Sequence, residues 1–367
     1  MKYYLIAGER SGDLHGSNLI KSLKKYDSNA EFRCLGGDLM QKEGAVLYRH
    51  YSEISYMLIG DVIRNIFTIF KNFSLCAKDI ESYKPDALIL IDFSGFNMQI
   101  AKRIKPKGIP IHYYISPKIW AWNQSRAYNI KKLIDYMYVI MPFEKQFYKK
   151  YNYEVDYVGN PILDAISNFK PNPNFKNEQY LNSKPIVAVL PGSRKQEVEN
   201  MLEKMMLLSS YFKEYEFVIA AVDNLSENFY QKYKNKGFKV VTSQTYDLLH
   251  NAHAALVTSG TATLETALFN VPQIVCYQTG FITYSIVKFF IKIRFISLVN
   301  LIADKEIVKE MIQGDFEVSK LKIELENILE GPKREQMLAD YQFLKSQMGT
   351  VGASDKTAEL IAKRVKL

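Results

Sequence analysis

The stretch at residues 254–265, AALVTSGTATLE, constrains the fold more than any other part of the chain. A short apolar run stops at a small polar turn, and a helical pattern begins at once, which predicts a strand, a tight turn and a helix. Such a turn presents unpaired backbone N–H groups at the positive end of a helix, where a diphosphate can bind. The turn residues are Ser259, Gly260 and Thr261, and Gly260 has no Cβ to keep a phosphate away.

Glu265 lies four residues after Thr261, so both residues are on one face of the predicted helix. A carboxylate in that place can accept hydrogen bonds from paired ribose hydroxyls. The alternative is an ordinary capped helix, in which Glu265 only complements the helix dipole.

The same alternation of apolar runs and helical patterns occurs along the whole chain, which predicts an α/β fold with parallel sheets. An Asn-, Pro- and Lys-rich stretch at 159–184 divides it. We expect an N-terminal domain at 1–165, completed by C-terminal helices at about 333–367, and a second domain at 184–332. Helical patterns begin near residues 304, 317, 333 and 352. The predicted strands are 3–7, 31–35, 87–91, 109–115, 136–141, 186–190, 217–221, 239–242, 254–257 and 273–277.

The composition is that of a globular protein long enough for two cores, with 367 residues, 47% apolar and 24% charged. Three widely spaced cysteines without a CxxC motif indicate buried thiols in a reducing compartment. The first residues do not read as a secretory signal, so we expect a cytoplasmic protein. A net charge of +9 favours an acidic partner, whether nucleic acid, anionic lipid or a phosphorylated substrate.

Two polar segments follow predicted strands of the first domain. GERSGDLHG at 8–16 is a glycine-rich turn before a helix at 15–26, and without GxGxxG it does not indicate a dinucleotide site. Asp92 ends the apolar run LILI, where desolvation raises a carboxyl pKa toward the range of a general base. The alternative is that Asp92 caps a helix beginning near Asn97.

Two further motifs carry groups suited to a nucleotide sugar. Both tryptophans lie in SPKIWAW at 116–122, where aromatic faces suit a sugar or acyl group, although core packing is the commoner role. In the turn PGSR, Ser193 and Gln196 have the spacing of a capping box. Arg194 is then available for phosphate, or is simply a surface residue.

An apolar stripe at 57–73 and a basic, apolar segment at 286–298 suggest contact with a membrane surface, but charges argue against a spanning helix. The alternative is that the stripe belongs to the core. The charged residues are Arg64, Lys71, Lys288, Lys292 and Arg294, and the stripe residues are Leu58, Ile59, Val62, Ile63, Ile66 and Phe67.

Motifs in order across the chain, among them AGERSGDLHG, IDFSGFN, SPKIWAW, VGNPILD, LPGSRKQEV, TSGTATLE and SLVNLIADKEIVKEMIQ, resemble the lipid A disaccharide synthase family. The resemblance implies a GT-B fold, in which two Rossmann-like doubly wound domains face across a cleft and the last helix returns to the first domain. It also implies inverting transfer of 2,3-diacylglucosamine from UDP to the 6-hydroxyl of 2,3-diacylglucosamine 1-phosphate, in lipid A and lipopolysaccharide biosynthesis, without metal or cofactor.

The residue roles follow from the resemblance together with the chemistry above. Asp92 is expected to be the base, and Arg194, Ser193 and the 259–261 turn are expected to hold the diphosphate. The resemblance places Asn300 at the same site, and Glu9, Ser11 and Asp13 on the opposite lip. It implies a peripheral enzyme at the inner face of the inner membrane, meeting its acylated substrates in the cytoplasmic leaflet. The oligomeric state stays open, with a homodimer as one candidate.

Three motifs depart from the family's pattern. Ser94 and Gly95 stand where the family has a second acid, Asn123 replaces an Arg after WAW, and Asn160 replaces a His, so no catalytic histidine is assigned there. The nearest rivals are other GT-B enzymes that use UDP-N-acetylglucosamine, namely a 2-epimerase or a peptidoglycan glycosyltransferase. A basic RNA-binding protein is a further alternative, but the sequence has no RNP-like aromatic motif and we expect no nucleic-acid partner.

Overall fold

The computed structural model describes residues 1–53, 66–222, 225–280 and 293–366, except the side chains of 66–71 and 196. The chain forms two compact units. The first comprises Met1–Asp164 and Thr350–Leu367, and the second comprises Ala165–Gly349.

The first unit contains a seven-stranded parallel sheet in the order β3-β2-β1-β4-β5-β6-β7. Its strands are β1 Lys2–Ala7, β2 Glu31–Gly36, β3 Val46–His50, β4 Ala87–Ile91, β5 Ile111–Tyr114, β6 Tyr136–Val139 and β7 Asp156–Tyr157. Its helices are α1 Arg10–Tyr26, α2 Asp38–Lys42, α3 Ile66–Tyr83, α4 Ser94–Ile104, α5 Arg126–Leu133 and α6 Pro142–Lys149, with α7 Pro161–Asn168 at the boundary and α16 Ala353–Val365 returning from the second unit.

The returning helix α16 is part of the first unit's core. Ala358 and Ile361 pack in the same buried cluster as Leu5 of β1 and Leu19 of α1. The Asp164 carboxylate accepts hydrogen bonds from the backbone N–H groups of the first turn, at Gly352 and Ala353. These bonds satisfy donors that have no partner within the helix.

The second unit contains a six-stranded parallel sheet in the order β10-β9-β8-β11-β12-β13. Its strands are β8 Ile186–Leu190, β9 Glu216–Ala221, β10 Lys239–Thr242, β11 Ala252–Thr258, β12 Gln273–Tyr277 and β13 Lys309–Ile312. Its helices are α8 Phe175–Glu178, α9 Lys195–Leu207, α10 Glu227–Lys234, α11 Thr245–Asn251, α12 Thr261–Leu268, α13 Leu298–Ala303, α14 Val318–Leu329 and α15 Pro332–Gln347.

Helix α15 belongs to the second unit, whereas the sequence assigned about 333–367 to the first domain. The physical reason is its buried face. Tyr341 is fully buried and donates from its hydroxyl to the backbone oxygen of Val271 at 3.3 Å, and Met337 and Leu344 are buried beside it. Only the helix beyond residue 350 joins the first unit.

The α/β prediction with two doubly wound sheets is confirmed, because both described sheets are wholly parallel and alternate with helices. Three strands were not predicted, namely β3, β7 and β13, and each lies at a sheet edge, where one side is unpaired. Such strands lack the continuous apolar run of a central parallel strand. The helix predicted at 15–26 is present, but it begins earlier, at Arg10, within the predicted turn. The helix predicted to begin near residue 304 was wrong, because strand β13 follows there.

Candidate functional site

Asp92 follows β4 directly, at the carboxyl edge of the first sheet, where open parallel sheets bind ligands. Asp92 and Phe93 adopt left-handed backbone conformations, with φ of 45° and 44°. The Phe93 ring lies over Gly8, where an added Cβ would stand only 2.0 Å from the ring, so this approach requires glycine. Helix α4 begins at Ser94 with Phe93 as its N-cap and no side-chain cap, so Asp92 is not the N-cap residue of this helix.

Burial raises the pKa of the Asp92 carboxyl above its ordinary value. The charge of Lys118 and a hydrogen bond from the Phe93 backbone act in the opposite direction, while the negative charge of Glu9 adds to the rise. A half-buried carboxylate with a raised pKa and a cation nearby is the electrostatic setting of a general base.

The sequence predicts substrate contacts for Glu9, Ser11 and Asp13, at the start of helix α1. In the structure these side chains have different partners. Glu9 is the exposed N-cap of α1, and its Oε1 accepts a hydrogen bond from the Ser11 hydroxyl at 2.7 Å. Asp13 is buried, and its two oxygens accept from the backbone N–H groups of Gly37, Leu39 and Met40 at 2.8–3.1 Å. Asp13 therefore anchors the start of α2.

Glu144 organises the tryptophan loop and was missed by sequence reasoning. Its Oε1 accepts from the Ser116 hydroxyl at 2.5 Å and from the Trp120 indole N–H at 3.1 Å. Its Oε2 accepts from the backbone N–H groups of Ile140 and Met141 at 3.2 and 2.9 Å. Burial raises its pKa, and these four donors oppose the rise. The only local signal was an acid at the third position of helix α6.

The two tryptophans of the loop separate into a core residue and an exposed residue. Trp120 is buried and packs edge-to-face on Phe143, with ring centroids 5.0 Å apart. Trp122 is 46% exposed, and the Arg126 guanidinium lies 5.2 Å from its ring centre. Trp122 is thus the one of the two that offers an aromatic surface to a ligand.

In the second unit, the strand, turn and helix predicted from the stretch at 254–265 are present as β11 and α12. Gly260 is the N-cap of α12, and among the described residues no atom beyond its chain neighbours lies within 4 Å of the place where its Cβ would be. The Ser259 hydroxyl donates to the Ile296 carbonyl at 2.9 Å, and its backbone N–H donates to the Cys276 carbonyl at 3.3 Å. Thr261 is exposed at the first position of the helix. Within the described part of the chain, the helix N-terminus is therefore open in front of Gly260, as an anion site requires.

Arg194 caps a second helix that starts at the carboxyl edge of the same sheet. The predicted cap pair of Ser193 and Gln196 is displaced by one residue, because Glu197 Oε2 accepts the backbone N–H groups of Ser193 and Arg194, each at 3.2 Å. Gly192 is required here, since its φ is +116° and a Cβ would lie 2.8 Å from the Glu197 carboxylate. The Arg194 side chain is 83% exposed and makes one long contact with Glu197 at 3.5 Å, so its guanidinium is accessible to an anion.

Glu265 and Asn300 differ in the partners of their side chains. Glu265 is half-buried, and its Oε1 accepts a hydrogen bond from the Tyr246 hydroxyl at 2.8 Å. Asn300 is fully buried: its Nδ2 donates to the Val308 carbonyl and to Glu310, and its Oδ1 accepts the N–H groups of Ile307 and Val308. All four hydrogen-bonding positions of this amide are filled by these protein groups.

The membrane-contact prediction falls mainly outside the described residues. Leu58, Ile59, Val62 and Ile63 lie in the undescribed range 54–65, and the side chains of Ile66 and Phe67 are not described. Of the described helices, none combines the length and apolar character needed to cross a bilayer. Within the same residues, no three His, Cys, Asp or Glu side chains come together as a metal-ion site.

Solved structures with a similar fold include UDP-GlcNAc 2-epimerases and a glycotransferase. UDP-GlcNAc 2-epimerase from Neisseria meningitidis bound to UDP-GlcNAc has a TM-score of 0.62 at 12% identity over all of both chains. The Methanocaldococcus jannaschii UDP-GlcNAc 2-epimerase in complex with UDP-GlcNAc and UDP gives 0.63 at 14% identity, over 100% of this chain and 99% of that one. The glycotransferase of kitacinnamycin gives 0.65 at 12% identity over 99% of each chain. At these identities the similarity shows the fold, which is GT-B.

The sequence comparisons are more specific than the fold. A family model described as lipid-A-disaccharide synthetase matches residues 3–364. The lipid-A-disaccharide synthase of Syntrophus aciditrophicus is 33% identical over 99% of this chain and 97% of its own length. That of Myxococcus xanthus is 31% identical over 97% of this chain and 96% of its own. The chain belongs to the lipid-A-disaccharide synthetase family, and it is a glycosyltransferase that acts in the formation of the lipid A disaccharide.

Proposed function

We propose that the protein transfers 2,3-diacylglucosamine from UDP-2,3-diacylglucosamine to the 6-hydroxyl of 2,3-diacylglucosamine 1-phosphate, forming a β-1,6-linked disaccharide 1-phosphate and UDP. The observation that carries this proposal is the family match from residue 3 to residue 364. The 2-epimerases share only the fold, at 11–16% identity, so they do not favour the rival reaction.

The reaction proceeds as a single displacement with inversion. Asp92 accepts the proton of the acceptor's 6-hydroxyl while that oxygen attacks the anomeric carbon of the donor and the bond to UDP breaks. Support comes from its place after a buried strand and from the burial that raises its pKa. Glu9 and Ser11 contribute to binding on the same unit, beside α1.

The second unit binds the UDP part of the donor. The turn at 259–261 binds the diphosphate through the backbone N–H groups of Gly260 and Thr261 at the α12 N-terminus. Arg194 and Ser193 add contacts to phosphate, and Glu265 accepts hydrogen bonds from ribose. These groups stabilise the negative charge that grows on UDP as it leaves, without a metal ion. The open space at Gly260 and the 83% exposure of Arg194 support this role.

An assay with purified protein and the two acylated monosaccharides tests the reaction. The expected product is the disaccharide 1-phosphate with UDP, with a β anomeric configuration by NMR and unchanged turnover in excess EDTA. UDP-N-acetylglucosamine serves as the control donor, since it carries only an N-acetyl group and no long acyl chain. Epimerisation of that sugar at C2, without disaccharide from the acylated pair, would replace our proposal with the epimerase reaction.

We further propose that the protein works at the cytoplasmic face of the inner membrane as a peripheral enzyme. Its proposed acceptor carries two acyl chains, and each buried CH₂ holds it in the bilayer by about 0.8 kcal/mol, so the protein must meet the membrane. Attachment is assigned to the stripe of Leu58, Ile59, Val62, Ile63, Ile66 and Phe67, aided by nearby Lys and Arg.

Vesicle sedimentation tests this location. Replacing Ile63, Ile66 and Phe67 with Ser should release the protein from anionic vesicles while UDP affinity stays unchanged. Retained vesicle binding by a folded triple variant contradicts the assignment, and unfolding would place the stripe in the core.

A further inference from the structure

Tyr246 contacts the carboxylate that the proposed function places on the ribose. Tyr246 lies on α11 and Glu265 on α12, and the phenol hydroxyl donates to Glu265 Oε1 at 2.8 Å. Among the described residues no other donor contacts this carboxylate. One carboxylate oxygen is thus held by the protein, and the other remains for a ligand.

The tyrosine ring is itself fixed by two phenylalanines. Its centroid is 5.6 Å from that of Phe169, with the rings perpendicular, and 5.1 Å from that of Phe269. Phe169 and Phe269 also contact each other edge-to-face at 5.6 Å. A ring held from two sides delivers its hydroxyl to one place, so the hydrogen bond to Glu265 fixes the direction of the carboxylate.

The same hydrogen bond acts on the charge of Glu265. Burial raises the pKa of this carboxyl, and the Tyr246 bond lowers it. The other titratable groups on α11 are turned elsewhere: Asp247 accepts the Asn172 backbone N–H, and the His250 ring faces Phe169. An ionised carboxylate can accept hydrogen bonds from both hydroxyls of a diol, whereas a protonated carboxyl group carries an O–H donor in place of one acceptor. Tyr246 therefore favours the ionised form of Glu265, which is the form that binds ribose.

We propose that Tyr246 is a positioning residue that aims Glu265 at the paired ribose hydroxyls and thereby makes the donor site select ribonucleotides. The proposal rests on the proposed function, in which Glu265 binds the ribose of UDP. It assigns a role to a tyrosine that precedes the strand and turn of the site by several residues and is not part of the TSGTATLE motif.

The test compares binding of UDP and of 2′,3′-dideoxy-UDP, which lacks both hydroxyls, by calorimetry from pH 5 to pH 8. The diphosphate ionises alike in both ligands, so its titration cancels in the affinity ratio. In the unmodified protein the preference for UDP should fall as the pH decreases through the pKa of Glu265. Tyr246→Phe keeps the ring between the phenylalanines and should reduce the preference about three- to tenfold near neutral pH. It should also move the fall to higher pH.

Two further variants separate the outcomes. Glu265→Gln should reduce the preference and make it independent of pH, while Tyr230→Phe, which removes a hydroxyl bonded to the Val222 backbone in the same unit, should change neither. An unchanged ratio and pH profile in Tyr246→Phe, with a lowered ratio in Glu265→Gln, would reduce Tyr246 to a packing residue. If Glu265→Gln also keeps the full preference, the ribose contact in the proposed function is what fails.

Discussion

The Tyr113 hydroxyl donates a hydrogen bond to the main-chain oxygen of Asp92, 2.5 Å away. The Asn97 side chain donates to the same oxygen at 2.7 Å. Both bonds hold a turn in which two consecutive residues, Asp92 and Phe93, have positive φ. Such non-glycine conformations cost on the order of 1–3 kcal/mol each and persist where surrounding contacts impose them. The proposed base is therefore positioned through its backbone.

Tyr113→Phe should lower turnover about three- to tenfold and the free energy of unfolding by about 1 kcal/mol, because one of two donors to the Asp92 carbonyl is lost. Turnover and urea unfolding measured on the same preparation check both effects. Tyr153→Phe is the matched control, since its hydroxyl donates to the backbone of Ile134, away from the base. A normal turnover in Tyr113→Phe would show that Asn97 alone holds the turn.

Asp92→Asn should lower turnover by about two to four orders of magnitude, the typical range for loss of a general base, and leave UDP affinity unchanged. Single-turnover kinetics and calorimetry with UDP separate the two quantities. A folded variant with near-normal turnover would remove Asp92 from this role, and Glu9 would be the next candidate.

The pH profile of kcat/KM should report the charges around Asp92. A base works when deprotonated, so the rate falls as pH falls through its pKa, which burial raises. Lys118 lowers that pKa, so Lys118→Met should move the acid limb to higher pH. Glu9→Gln removes a charge that raises it and should move the limb to lower pH. Shifts in the same direction for both variants contradict the assignment of the limb to Asp92.

Arg194→Ala should weaken UDP binding by roughly 1–3 kcal/mol and also lower turnover at saturating donor, because a charge-assisted contact to phosphate strengthens as UDP leaves. Calorimetry and steady-state kinetics provide the two measurements. Lys195→Ala is the control, because it removes the neighbouring positive charge, which lies 3.7 Å from Glu199. It should change neither UDP affinity nor turnover. Equal effects of the two substitutions would indicate general charge attraction only.

Glu144→Ala should lower the free energy of unfolding by about 2–5 kcal/mol, because it leaves three buried donors and one partly buried donor without their acceptor. Urea unfolding measures the loss, and tryptophan fluorescence reports the change around Trp120. Glu81→Ala is the matched control, because Glu81 forms an exposed surface ion pair with Lys107. Such a pair is expected to contribute about 0–1 kcal/mol to the free energy of unfolding. A loss below 1 kcal/mol in Glu144→Ala would mean that water replaces the carboxylate.

Local sequence patterns predicted the central strands and the turn at 259–261, because buried parallel strands are continuous apolar runs and the turn lies within one strand–helix unit. They could not predict the partners of Asp13 or Asn300. The amides that Asp13 binds are 24–27 residues further along the chain, and a motif shows which residues are polar without showing what packing brings to them. Glu144 was missed for the same reason, since Ser116 lies 28 residues before it.

The placement of α16 sets an order on how this protein can fold during synthesis. Ala358 and Ile361 complete a core that begins at Tyr3, so the first unit has no finished interior until residues 353–365 have left the ribosome. The second unit is continuous from Ala165 to Gly349 and needs nothing synthesised later. Domains commonly fold in the order in which they are translated, but here the second unit can complete its folding before the first. Until α16 is synthesised, the surface of α1 that α16 covers stays exposed.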